Sequence, residues 1–252
     1  MKPYSFKRAY IWELPVRIFH WANALSLVVL AVTGFIIANP PAILSGQDPT
    51  QIYWFGWVRF IHFATAYVFT VSILMRFYWA FMGNQFAHWK AYWPFTKEGI
   101  HNFKHVMKVD VFLGEDEENK LSNISVGHNV VAAAAYMLFF FLFLVMIFTG
   151  FGLYAPTSEW WFPQLFAWVP SVFGGDFDTR MIHHVTMWLI ILVTVIHIYL
   201  VLYHEWLEGR GEVSSMFSGY KFVRAERVEM STEEKPLEDT TDEPTPGGGD
   251  GC

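Results

Sequence analysis

The sequence predicts an all-α membrane protein, a bundle of four transmembrane helices. Of its 252 residues, 54% are apolar and only 16% are charged. The apolar residues form continuous blocks instead of alternating with polar residues. Four blocks are long enough to cross a hydrocarbon layer that is about 30 Å thick. These predicted spans are Ile18–Ala38, Val58–Met82, Asn129–Tyr154 and Met181–Tyr203.

The two ends of the chain differ in composition. No short apolar region with a small-residue cleavage site precedes the first span, so we expect that span to remain in the mature protein. Residues 226–252 hold nine acidic and two basic residues, a net charge of −7, which leaves +1 of the overall −6 for the rest. Their Pro/Gly-rich sequence without aromatic residues is typical of disorder. We therefore expect a four-helix domain over residues 1–225 and a disordered acidic tail over 226–252.

Basic residues predict the orientation of the helices. Fourteen of them lie in the N-terminal arm, in the loop between spans two and three, and after span four. On the opposite side only Arg59 and Arg180 occur, both at span edges. Because loops rich in Lys and Arg stay inside, both termini and the middle loop should be cytoplasmic. The outer loops, residues 39–57 and 155–180, are rich in aromatic residues, which indicates an interfacial belt, a docking surface for an external partner, or both.

Four histidines lie within the predicted spans at two depths. His183 and His197 are fourteen residues apart. They therefore point the same way, roughly 21 Å apart along the helix axis. The alternating directions of the spans put His62 near the outer face with His183, and His20 near the inner face with His197. Since only residues at the same depth can share an iron, topology pairs His62 with His183 and His20 with His197.

These pairs predict two stacked haems, because neutral imidazole is a good ligand for haem iron. The alternative is a haem-free anchor whose histidines hydrogen-bond neighbouring helices. The only cysteine, Cys252, excludes covalent CxxCH attachment and a cysteine-held iron–sulfur cluster. The absence of Asp, Glu and Lys from the interiors of the spans disfavours an ion pump or a retinal protein. Electron transfer is compatible with all of these features.

Three further residues belong to this pattern. Gly34 is fourteen residues after His20, so it should let the first helix approach the outer haem closely. Arg76 is fourteen residues after His62, where its guanidinium could pair with an inner haem propionate or reach the inner headgroups. His184 points roughly 100° away from the face of His183 and His197, which makes it the weaker candidate ligand. Thr33–Phe35 recurs as Thr149–Phe151, a hint of a duplicated helix pair.

Eight short motifs occur along the chain: PVRIFHW (Pro15–Trp21), VRFIHF (Val58–Phe63), LMRFYWAFMGN (Leu74–Asn84), GHN (Gly127–Asn129), TGFGLY (Thr149–Tyr154), HHVTMWLI (His183–Ile190), HIY (His197–Tyr199) and MFSGY (Met216–Tyr220). Through these motifs the chain, from about Trp12 to Phe222, resembles the cytochrome b subunits of membrane-bound respiratory nickel–iron hydrogenases. Single motifs also occur in related four-helix cytochromes b.

The resemblance implies a diheme cytochrome b in the bacterial inner membrane, with His20, His62, His183 and His197 as ligands of two haem b groups. It also implies partners, namely the iron–sulfur small subunit and the nickel–iron large subunit of a periplasmic hydrogenase. Electrons would pass to menaquinone or ubiquinone, and no hydrogen-activating centre lies in this chain. The alternative is the same architecture serving another periplasmic dehydrogenase, such as formate dehydrogenase.

A quinone site should lie near the inner haem, where hydrogen-bond donors and a proton path are needed. His128 and Asn129 begin span three at the cytoplasmic side, and Tyr203 and His204 end span four near the same level. These four residues are the candidate quinone contacts. Each could equally cap a helix or anchor it at the interface.

Overall fold

The computed structural model describes residues 6–41, 53–89, 130–208 and 211–224. Four of its helices are long and apolar enough to cross a membrane, as predicted. In chain order the elements are β1 (Phe6–Tyr10), α1 (Leu14–Ala38), α2 (Trp54–Met82), α3 (Val130–Tyr154), a 3₁₀ turn (Ala155–Thr157), α4 (Trp161–Gln164), α5 (Val169–Val172), α6 (Asp176–Glu208), α7 (Glu212–Ser218) and β2 (Tyr220–Arg224).

Three of the four long helices, α1, α2 and α6, extend beyond the predicted apolar segments. α1 begins at Leu14, with Pro15 in its first turn, where a missing N–H leaves no hydrogen bond unmade. α6 begins at Asp176, and the carboxylates of Asp176 and Asp178 lie in its first turn, where they suit the helix dipole. Apolar composition marks only the part of a helix within hydrocarbon, so it underestimates helices that continue into the interface.

The four long helices form a closed ring in the order α1, α2, α3, α6. α1 packs along α2, and α3 packs along α6. Aromatic contacts connect α2 with α3, where the ring centroids of Phe69 and Phe143 are 5.0 Å apart. The ring closes between α1 and α6, where the ring centroids of Phe35 and Trp188 are 5.1 Å apart. Large apolar side chains such as Leu25 and Phe141 are exposed on the outer faces, as expected for a lipid-facing surface.

At one end of the bundle the structure departs from the all-α prediction. β1 and β2 form an antiparallel two-stranded sheet, with Phe6 opposite Arg224 and Tyr10 opposite Tyr220. We call this the sheet end. The two strands lie more than two hundred residues apart in the chain. No local pattern in either strand indicates this pairing, which explains why the sequence reading missed it.

At the opposite end, α4 and α5 pack on the end of α3, and we call this the aromatic end. The ring centroids of Phe151 and Phe162 lie 5.0 Å apart there. Pro163 and Val169 are fully buried. Part of the predicted outer aromatic loop is therefore packed against the helices as short helical turns.

Some predicted features lie outside the described residues. They include the acidic tail over residues 226–252 and the quinone candidates His128 and Asn129. The backbone of His204 is part of α6, but its side chain is outside the described part as well. The domain boundary after residue 225 therefore stays a prediction.

Candidate haem-binding site

The first pair of histidines lies toward the aromatic end. His62 on α2 and His183 on α6 are close enough to interact electrostatically. The Nδ1 atom of His62 is 2.8 Å from Oγ1 of Thr33 on α1. The Nδ1 atom of His183 is 2.8 Å from Oγ1 of Thr149 on α3. Each histidine is thus hydrogen-bonded to the helix that precedes its own in the bundle.

The threonine hydroxyls determine which imidazole nitrogen carries the proton. Thr33 donates its hydroxyl hydrogen to the Val29 carbonyl, with an Oγ1–O distance of 2.6 Å. Thr149 donates in the same way to the Val145 carbonyl at 2.6 Å. A hydroxyl has one hydrogen, so each Oγ1 must accept a hydrogen bond from the histidine Nδ1–H. The Nε2 lone pair of each histidine is consequently available to a metal.

Two glycines make room for these rings. A Cβ atom at Gly34 would lie 3.5 Å from Cε1 of His62 and 3.7 Å from Sδ of Met187. A Cβ atom at Gly150 would lie 3.1 Å from Cε1 of His183. Gly34 thus lies against an imidazole ring of the candidate site, and Gly150 has the equivalent position in the second helix pair.

The second pair of histidines lies toward the sheet end. His20 on α1 and His197 on α6 are also close enough to interact electrostatically. Nδ1 of His20 is buried without a hydrogen-bond partner among the described residues. The ring of His197 packs edge-on against Phe139, with centroids 6.1 Å apart. The structure therefore brings together the same two pairs that the alternating topology predicts.

The donor set fits haem. No group of three or more His, Cys, Asp or Glu side chains that could hold a metal ion occurs in the described part of the chain. Haem iron needs only two axial ligands from the protein, because the porphyrin supplies the other four. Two imidazoles from different helices meet that requirement at each level of the bundle. His62 and His183 also each have a free lone pair on Nε2, which binding to haem iron requires.

Arg76 is buried near the sheet end and already has protein contacts. Its Nη2 donates to the Ala87 carbonyl at 3.3 Å. Its guanidinium carbon lies 5.2 Å from the ring centroid of Tyr136 on α3. These contacts tie α2 to the turn that follows it and to α3, so Arg76 has a structural role whether or not it meets a propionate.

His184 has a different partner from His183. Its Nε2 accepts a hydrogen bond from Nε1 of Trp188 at 3.2 Å, and its side chain is exposed. The indole therefore occupies the nitrogen that a haem ligand would need. This geometry agrees with the preference for His183 that helical spacing indicates.

Only part of the predicted quinone cluster is described. The ring of Tyr203 stacks on that of Tyr199, with centroids 6.0 Å apart. The neighbouring Glu205 accepts a hydrogen bond through Oε2 from the Val213 amide at 3.1 Å. Tyr203 and Glu205 thus lie at the sheet end, at the junction of α6 with α7.

Sequence reasoning missed several residues that contact the histidines. Thr33 and Thr149 bond to His62 and His183, and the repeated Thr-Gly-Phe was the signal that could have identified them. Trp21 is another, since its ring lies edge-on to that of His20, with centroids 5.2 Å apart. Its Nε1 donates to the Met216 carbonyl at 3.1 Å. The MFSGY motif therefore helps to hold Trp21, the residue next to His20, in place.

The fold and the histidine pairs define the class of the protein as a membrane cytochrome b. Residues 11–219 match the family described as "Prokaryotic cytochrome b561", and the chain belongs to this family. Membership implies haem b as the prosthetic group. The matched region begins just after β1 and stops just before β2, so it contains both histidine pairs.

Relatives are similar over most of their length. A Cupriavidus necator protein is 36% identical over 221 residues, which are 86% of this chain and 88% of the relative. A Rhodobacter capsulatus protein is 35% identical over 87% of this chain and 84% of the relative. Both are named "Probable Ni/Fe-hydrogenase B-type cytochrome subunit". An Escherichia coli K12 protein is 34% identical over 84% of this chain and 90% of the relative. It is named "Probable Ni/Fe-hydrogenase 1 B-type cytochrome subunit".

Proposed function

We propose that this chain is the diheme cytochrome b subunit that anchors a periplasmic nickel–iron hydrogenase in the inner membrane. In this function it passes electrons from hydrogen oxidation to the quinone pool. The observation that carries the proposal is the pair of histidine sites at two levels of one four-helix bundle. The names of its relatives support the hydrogenase as the electron donor.

The side chains have separate tasks in this proposal. His62 and His183 hold the outer haem, and His20 and His197 hold the inner haem. Haem b, when bound, supplies a one-electron redox centre. The apolar outer faces of the helices keep water and lipid headgroups away from the sites. The orientation expected from the basic residues puts the aromatic end in the periplasm and the sheet end in the cytoplasm.

The partners follow from what this chain lacks. Its single cysteine cannot hold an iron–sulfur cluster, so the iron–sulfur small subunit and the nickel–iron large subunit must supply those centres. Electrons then enter at the aromatic end. Menaquinone or ubiquinone is reduced at the sheet end, with His128, Asn129, Tyr203 and His204 as candidate contacts.

Haem content tests the proposed ligands. We expect the purified complex to contain two haems per chain by the pyridine haemochrome assay. His183→Ala should lose one haem, whereas His184→Ala is the matched control and should keep both, because its Nε2 is occupied by Trp188. A wild-type chain without a b-type band in its reduced-minus-oxidised spectrum would support the haem-free anchor instead.

Metal analysis tests the electron donor. Nickel should co-purify with the tagged chain from solubilised membranes, together with two further subunits. Molybdenum or tungsten in the complex would contradict the hydrogenase assignment and indicate a formate dehydrogenase type of partner.

Hydrogen-dependent quinone reduction should disappear in His20→Ala, while the partners still co-purify.

A further inference from the structure

The two histidine pairs have different surroundings at Nδ1. At the His62/His183 pair both Nδ1–H groups donate to a threonine hydroxyl at 2.8 Å. At the His20/His197 pair neither ring has a hydrogen bond to a described residue, and Nδ1 of His20 is buried without one. The hydrogen bonding of the two pairs therefore differs, although each pair consists of two imidazoles from different helices.

The hydroxyls of Thr33 and Thr149 are shielded from water and held beside the rings of His62 and His183. Thr33 is 7% exposed and Thr149 is fully buried, so water does not compete for either hydrogen bond. Each hydroxyl is also held by its own helix through the bond to the carbonyl four residues earlier. A fixed acceptor restricts both the tautomer and the rotation of the imidazole.

An acceptor at Nδ1–H changes the electron density on the ring. The hydrogen bond draws the Nδ1 proton toward oxygen, which makes Nε2 a stronger donor. A stronger axial donor stabilises ferric over ferrous iron, and hydrogen bonds to axial ligands are one of the means by which proteins set haem potentials. Unequal bonding at the two pairs should therefore produce unequal potentials.

We propose that Thr33 and Thr149 are positioning residues that lower the midpoint potential of the haem at the His62/His183 pair. This inference rests on the proposed function, because it requires that His62 and His183 ligate a haem. The hydroxyls act only through the imidazoles and do not touch the iron. The resulting difference in potential favours electron transfer from the aromatic end toward the sheet end.

Potentiometric titration of the two b-type bands in the purified hydrogenase complex tests this proposal. Thr33→Val and Thr149→Val should each shift the potential of one haem upward and leave the other unchanged, and the double variant should shift it further. Thr33→Ser keeps a hydroxyl and should restore a potential near the wild-type value. Thr70→Val is the matched control. Thr70 is also buried and donates to the Ala66 carbonyl at 2.7 Å, but it has no bond to a histidine.

The outcomes separate this inference from the proposed function. If His62→Ala keeps both haems, the ligand assignment fails, and the inference fails with it. If His62→Ala loses one haem but both potentials stay unchanged in Thr33→Val and Thr149→Val, only the inference is overturned. A shift in Thr33→Ser as large as that in Thr33→Val, or an equal shift in Thr70→Val, would also overturn it. Selective loss of one haem in Thr33→Val with recovery in Thr33→Ser would support the positioning role.

Discussion

At the scale of single residues, the site depends on a repeated Thr-Gly pair. In α1 and again in α3, the threonine bonds to a histidine of the neighbouring helix. The following glycine leaves space for the same ring. The repeat supports an internal duplication of the helix pair, because both copies perform the same task at the same level of the bundle.

The two glycines should respond differently to an added methyl group. A Cβ at Gly34 meets His62 at an ordinary contact distance of 3.5 Å, whereas at Gly150 it meets His183 at 3.1 Å. Both changes to alanine gain about 1 kcal/mol of helix propensity. We expect Gly34→Ala to keep two haems per chain and Gly150→Ala to contain fewer than two, since His183 must shift. Equal haem content in the two variants would contradict this prediction.

At the scale of elements, the sheet end joins the segment around β1 to the segment around β2. The amides of Ile11 and Trp12 both donate to the Gly219 carbonyl, at 2.9 and 3.1 Å. Arg17 donates to the Phe217 carbonyl, and Trp21 donates to that of Met216. The MFSGY segment thus holds the first turns of α1, the helix that carries His20.

This connection requires glycine at position 219. Gly219 has a φ of +86°, and an added Cβ would lie 2.8 Å from the Trp12 carbonyl oxygen. Gly175 is the matched control, because its φ is +114° but nothing lies within 4 Å of an added Cβ. The left-handed backbone alone costs an alanine about 1–3 kcal/mol. We expect Gly219→Ala to lower the melting temperature in detergent more than Gly175→Ala, as measured by loss of the haem band.

A group of polar side chains also connects α1 with α2 at the sheet end. Oε2 of Glu13, just before α1, accepts hydrogen bonds from Nε1 of Trp79 at 2.8 Å and from the Asn84 amide at 3.0 Å. The Asn84 side chain in turn donates to the Ile11 carbonyl at 3.0 Å. The start of α1 and the end of α2 are thus joined by side chains at the sheet end.

At the scale of the whole molecule, the proposed electron transfer depends on the orientation of the bundle across the membrane. The bundle has two unlike ends, one with the terminal strands and one with the aromatic turns. Electrons can enter and leave on opposite sides only if these ends face different compartments. The basic residues predict that the sheet end is cytoplasmic.

Reporter fusions test this orientation. Green fluorescent protein fused to the C-terminus of the full chain should fluoresce, because that terminus is expected in the cytoplasm. Alkaline phosphatase fused at the same point should be inactive, since it folds only in the periplasm. An active phosphatase and a dark fluorescent fusion would reverse the orientation and, with it, the entry and exit sides.

The sequence alone predicts the features that follow from helix geometry and from the order of the helices. Apolar blocks identified the four helices, and the fourteen-residue spacing of His183 and His197 set two levels through the fixed rise and period of the helix. Alternating direction then indicated which histidines could meet, and the structure brings those pairs together. These inferences succeed because their geometry is local or follows from the connectivity of the chain.

The side-chain contacts of each histidine follow from the packing of the helices and are seen in the folded structure alone. The bonds from His62 to Thr33 and from His183 to Thr149, and the indole contact of His184, depend on side-chain rotamers and on the rotation of each helix against its neighbours. The sheet between β1 and β2 joins segments at opposite ends of the chain. Packing between distant segments sets these contacts, and neither helical period nor hydropathy carries that information.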